Sequence, residues 1–131
     1  VGFNGTATIG NGSCNNGGQQ ACAYSGHEGD GQIGHKSCND IGHYACAENG
    51  YLGNGIIGDD SCNNGAELAC TYNGREGKGV IGQGSCNGGG LMSCASNGYN
   101  GTGTIGDNSC NTGDSTLTGA CISNGLDNTI G

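Results

Sequence analysis

The tripeptide Ser-Cys-Asn recurs at residues 13–15, 37–39, 61–63, 85–87 and 109–111, always at the same interval. Ile-Gly keeps the same register, with Ile9, Ile33, Ile57, Ile81 and Ile105 opening successive units and Ile130 opening another. A second cysteine follows at 22, 46, 70, 94 and 121. The unit I-G-x-x-S-C-N-x-x-x-x-x-A-C-x-x-N-G-x-x-G-x-G-x, twenty-four positions long, fills residues 1–131 as a single repeat domain. A fixed period of this length marks a solenoid or array, in which each unit hides its inner face only against its neighbours. The fifth unit is irregular: Cys110 and Cys121 stand 11 apart rather than 8, with an insertion within 112–119, and its last third is shorter. A local bulge followed by a shortened turn is expected there.

Within the unit a weaker period of eight separates three sides. Glycine and asparagine every few residues forfeit too much helix propensity for helices to form. Collagen is excluded by the lack of proline and of a three-residue period. The calcium-binding nonapeptide roll is excluded by the wrong period, and the left-handed hexapeptide solenoid by the lack of a six-residue apolar period. The expected fold is all-β: a right-handed, three-sided parallel β-solenoid of about five coils. Its strands are three to five residues long, with Gly/Asn corners supplying positive φ.

Composition gives this expectation its difficulty. Leu, Ile, Val and Phe number only 17 of 131 residues, glycine numbers 32, and the net charge is −8. Such a chain ordinarily stays disordered, because it cannot bury enough apolar surface to offset its ordering entropy. An ordinary enzyme domain with a large aliphatic core is excluded. Stacking resolves the conflict, because identical positions about 4.8 Å apart turn each repeated residue into a ladder. Ile9, Ile33, Ile57, Ile81 and Ile105 form the apolar column, with Ala21, Ala45, Ala69, Ser93 and Ala120 as its small partners. Asn15, Asn39, Asn63, Asn87 and Asn111 can pair amides from coil to coil at a corner. Ser13, Ser37, Ser61, Ser85 and Ser109 can do the same with hydroxyls.

Ten cysteines point to an oxidising compartment. Translational repetition makes Cys14–Cys22, Cys38–Cys46, Cys62–Cys70, Cys86–Cys94 and Cys110–Cys121 the economical pairing, each pinning two sides of one coil. Bridges between coils and unpaired inward thiols are the alternatives. No initiator Met, basic n-region or apolar h-region is present, so any signal peptide is expected to have been removed. The sequons at Asn4, Asn11 and Asn100 permit glycosylation in a eukaryotic source.

Only Lys36, Arg75 and Lys78 are basic, too few for nucleic acid or an anionic lipid surface. No apolar run is long enough for a transmembrane helix. The acids Asp30, Asp40, Asp59, Asp60, Asp107 and Asp114 are scattered and read as solvated surface. His27, His35 and His43 are spaced by eight and so fall on three different sides, which argues against a metal or catalytic trio. Cys-x7-Cys is no zinc pattern, and no nucleophile elbow or phosphate loop stands in a credible context. No enzymatic activity, cofactor or metal is expected.

The motif I-G-x-x-S-C-N…A-C…N-G resembles a cysteine-containing tandem repeat of secreted and surface proteins of bacteria, algae and other protists, a resemblance spanning the whole chain. In design the chain is also similar to the disulfide-stapled β-helical antifreeze proteins of insects. That second likeness implies an ice-binding face. Thr6-x-Thr8 and Thr102-x-Thr104 occupy its columns, with Asp30/Gln32, Asn54/Ile56 and Lys78/Val80 between them.

The leading functional expectation is an extracellular or cell-surface structural β-solenoid: a rigid spacer, coat element or head-to-tail filament subunit. The chain starts within one unit and ends on Ile130-Gly131, so a longer parent array or stacking on another copy is expected. Ice binding is the alternative. A carbohydrate-binding or adhesive module, using Tyr24, Tyr44, Tyr51, Tyr72, Tyr99 and Phe3, is a second.

Overall fold

The computed structural model describes residues 3–111, 121–124 and 128–131. The insertion expected at 112–119, together with Asp114, Ala120 and most of the shortened turn, lies outside the described residues.

Among the described residues six short strands form one parallel sheet in sequence order: β1 (Thr6–Ile9), β2 (Asp30–Ile33), β3 (Asn54–Ile57), β4 (Lys78–Ile81), β5 (Thr102–Ile105) and β6 (Asn128–Ile130). From β1 to β5 each residue pairs with its equivalent in the next repeat unit, as in Ile9 beside Ile33 and Ile33 beside Ile57. Ile105 pairs with Ile130, so the longer fifth unit still returns its isoleucine to register. The chain is thus a parallel β-solenoid of about five coils.

Side chains in a strand point alternately to opposite faces. In β2 to β5 the glycine and the final isoleucine face inward and the other two residues outward. Ile33, Ile57, Ile81 and Ile105 are at most 2% exposed, whereas Ile9, in the first coil, is 37% exposed. Ile41 adds an apolar residue outside this column. Its side chain packs beside Gly17 and Gly65 of the two neighbouring coils, at ordinary contact distance from where a Cβ would lie.

Among the described residues only one of the three expected sides is a strand. The rest of the described backbone in each coil is one in which every second residue tends to be left-handed. In the second coil these are Lys36, Cys38, Asp40, Tyr44, Cys46, Glu48, Gly50 and Leu52, with φ between 52° and 74°. Their N–H groups alternate in direction. Tyr44 N donates back to Gln19 O, Cys46 N forward to Ala69 O, Glu48 N back to Ala23 O, and Gly50 N forward to Asn73 O. The residues between them close local turns, as Ala45 N does on Gly42 O and Ala47 N on Tyr44 O. The zigzag joins each coil to both neighbours while following a tighter path than a strand.

This changes the role expected of glycine. Thirty described non-glycine residues hold positive φ, including both cysteines of every coil. Left-handed backbone costs an L-residue about 1 kcal/mol, and the inter-coil hydrogen bond it donates offsets a comparable amount. Many repeated glycines are needed for space instead. A Cβ on Gly55 would lie 2.3 Å from Asn49 Oδ1 and 2.3 Å from Asn73 O.

Two substitutions test this packing. Gly55→Ala forces backbone apart in the middle of the stack and should cost about 3 kcal/mol, read as a lower denaturant midpoint with disulfides intact. Ser93 takes the place of Ala45 and Ala69, and its buried hydroxyl has no hydrogen-bond partner. Ser93→Ala should therefore stabilise the protein by about 1 kcal/mol in the same assay.

Candidate functional site

The interior holds the cysteines. Cys14–Cys22, Cys38–Cys46, Cys62–Cys70, Cys86–Cys94 and Cys110–Cys121 are disulfide-bonded, with Cα–Cα distances of 6.2–6.3 Å. Each bond lies within one coil, between two left-handed residues. Two sets of three potential metal-ligating atoms cluster among the described residues, Cys38/Cys46/Cys62 and Cys62/Cys70/Cys86. All of these sulfurs are engaged in disulfides, so none is a thiolate ligand.

The predicted polar ladders form with different partners. Asn39 Oδ1 accepts from Asn15 N and Asn63 Oδ1 from Asn39 N, while Asn39 Nδ2 donates to Gly12 O. These side chains bridge to backbone and make no amide–amide ladder. The serines behave alike: Ser37 Oγ donates to Gly58 O and accepts from Ser61 N. Hydroxyl–hydroxyl pairing is replaced by a link between each hydroxyl and the next coil's backbone. The same pattern continues through Ser13 and Ser85, and through Asn87 and Asn111, while the Ser109 hydroxyl donates to Asp107 O in its own coil.

The amide ladder runs instead through the asparagine of the N-G pair. Asn73 Nδ2 donates to Asn49 Oδ1, Asn97 to Asn73, and Asn124 to Asn97, at 2.8–2.9 Å. The other Nδ2 hydrogen reaches a strand carbonyl, Gln32 O from Asn49 and Ile56 O from Asn73. Asn49, Asn73 and Asn97 are fully buried. The N-G signal reads as an exposed turn, and nothing in sequence spacing says that its side chain points inward.

Two of the three histidines share one role, and His27 stands apart on the outer surface. His35 Nδ1 accepts from Asn11 N and His43 Nδ1 from Gln19 N, each at 3.0 Å. Asp59 and Asp107 play the same capping role on His35 N and Gln83 N. These acids, read as merely solvated, therefore satisfy backbone donors at a corner. Asp40 accepts from Asn16, and Asp30 from the Thr6 hydroxyl. Asn4, Asn11 and Asn100, the three sequon asparagines, are exposed.

Two outer surfaces carry repeated side chains. The sheet face presents Thr6 and Thr8 from β1 and Thr102 and Thr104 from β5, separated by coils bearing the charged Asp30 and Lys78. The other surface is an aromatic edge. Down one column, one residue per coil, stand Phe3, His27, Tyr51, Arg75 and Tyr99. His27 meets the edges of Phe3 and Tyr51 at 5.3 and 5.0 Å, and Arg75 lies over Tyr51, Tyr72 and Tyr99 at 5.3–5.6 Å. Where this column carries the polar His27 or Arg75, the neighbouring column carries Tyr24 or Tyr72. Arg75 also pairs with Glu48 at 3.2 Å and with Glu76 at 3.6 Å. An open groove of about 360 Å³ runs here, between Tyr24, Tyr44 and Tyr51 with Ala47, Glu48 and Arg75 among its lining.

No family model, curated protein or solved structure matches this chain. What is shown is a disulfide-rich parallel β-solenoid in which every repeat unit stacks on its equivalent in the next coil.

Ser25 takes the position of Asn49 in the amide ladder, and its buried hydroxyl has no partner. Ser25→Asn should extend the ladder by one rung and raise stability by about 1 kcal/mol, measured by thermal unfolding. The double substitution Cys62→Ala/Cys70→Ala should lower it by about 2.5 kcal/mol through loss of one short closed loop. Intact-mass alkylation of the native wild type should find no reactive thiol.

Proposed function

We propose that this chain is an extracellular structural rod, a stiff spacer or surface-coat element rather than a catalyst. The observation that carries this reading is the presence of one disulfide in each of the five coils, between columns that stay in register. Rigidity then depends little on a thick apolar core, which lets coils be added without a growing interior. The disulfide density fits an oxidising compartment. Among the described residues no helix is long and apolar enough to cross a membrane.

The parallel register supports growth along the axis. Strand β6 repeats the alignment of β5, and another coil, in the same chain or from a second copy, meets the same ladder.

Antibody labelling of intact, unpermeabilised source cells, with negative-stain microscopy of the released material, tests the proposal. Surface label on rods or a periodic coat is expected. Label confined to the cell interior would overturn it.

A further inference from the structure

We propose that the aromatic edge is a binding groove for a neutral, extended β-1,4-linked glycan. This goes beyond the rod reading and stands or falls separately from it. A sugar ring has an apolar C–H face and a rim of hydroxyls, so its recognition needs exposed aromatic faces beside a few fixed polar groups. The groove offers both. Tyr24 and Tyr44 are each 44% exposed, more than a tyrosine kept for core packing would be, and they line the groove together with the small Ala47 and the polar Gln20. Glu48 and Arg75 supply an acceptor and a planar array of donors beside these rings.

Three further observations narrow the ligand. One wall is fixed before binding, because Tyr51 is held between His27 at 5.0 Å and Arg75 at 5.3 Å, so that side chain loses little entropy on association. Aromatic rings recur in this column on alternate coils, at Phe3, Tyr51 and Tyr99, of which Tyr51 lines the groove and the other two stand on the edge beyond it. Coils rise by about 4.8 Å, close to the advance of one sugar along an extended β-1,4 chain. Such a chain turns the same face outward every second sugar, in step with rings on every second coil. Charge excludes acidic polymers. The net charge is −8, and the one cation lining the groove is already paired with Glu48 and Glu76.

The test is calorimetric titration of the full chain with cellohexaose and chitohexaose, with polygalacturonate and heparin as anionic controls. At least one neutral hexasaccharide is expected to bind. Tyr24→Ala and Tyr44→Ala, at exposed positions where folding should persist, are each expected to weaken binding roughly tenfold or more. Tyr24→Phe and Tyr44→Phe, which keep the ring, should stay within about twofold of wild type. Unfolding curves of every variant confirm that the fold is retained.

Failure of both hexasaccharides to bind at about 5 mM would overturn the proposal. So would binding indifferent to the alanine variants, or preference for the anionic polymers. Sedimentation is run in parallel: self-association lost in Tyr44→Ala, without glycan binding, would assign the edge to contact between copies instead. None of these results bears on surface labelling, so the rod and the groove are tested apart.

Discussion

The hydrogen bonds between coils are the constraint on which this molecule depends. In a three-sided β-solenoid three sheets supply them; among the described residues here, one narrow sheet does so on one side. Elsewhere the backbone alternates into the left-handed region, so that successive N–H groups such as those of Tyr44, Cys46 and Glu48 point to the coil behind, ahead and behind again. Each left-handed residue is unfavourable by itself, and the conformation persists because both neighbouring coils hold it. The disulfides belong to the same device. Each joins two left-handed cysteines across the interior, fixing the zigzag where the backbone cost falls on residues other than glycine.

A polar interior follows from this thin architecture. Buried amides and hydroxyls are destabilising unless satisfied. Stacking satisfies them by translation: the partner missing within one coil is found in the next. Asn73 reaches Asn49 and Ile56 O, Ser37 reaches Gly58 O and Ser61 N, and Asn39 reaches Gly12 O and Asn15 N. Where the repeat falters, as at Ser25 and Ser93, a hydroxyl is left buried and unpaired. Isoleucine, cysteine and asparagine columns therefore do together what a large aliphatic core does in a globular domain. The outer surface is left free to vary, and there the sheet face and the aromatic edge differ from coil to coil.

Much of the fold was legible in the repeat. A constant period with two cysteines per unit implies a parallel stack, its Ile column and the economy of pairing within each unit. The candidate groove was legible only as a set of tyrosines. Bringing Tyr24, Tyr44 and Tyr51 to one groove beside Arg75 needs three different columns to share an edge, and that depends on how sharply the backbone bends between them. The inward asparagine of the N-G pair was hidden for a related reason, since the same dipeptide serves an exposed turn equally well.

Period, register and the identity of each ladder were already set by the order of the amino acids, because translation along the axis copies every position onto its equivalent. Which way each residue faces was settled only by folding. Facing is set by backbone dihedrals, and outside the strands these take left-handed values on Cys, Tyr, Glu and Leu that no local propensity favours. Those values are imposed by bonds to the coils before and after, and so they exist only once the coils have stacked.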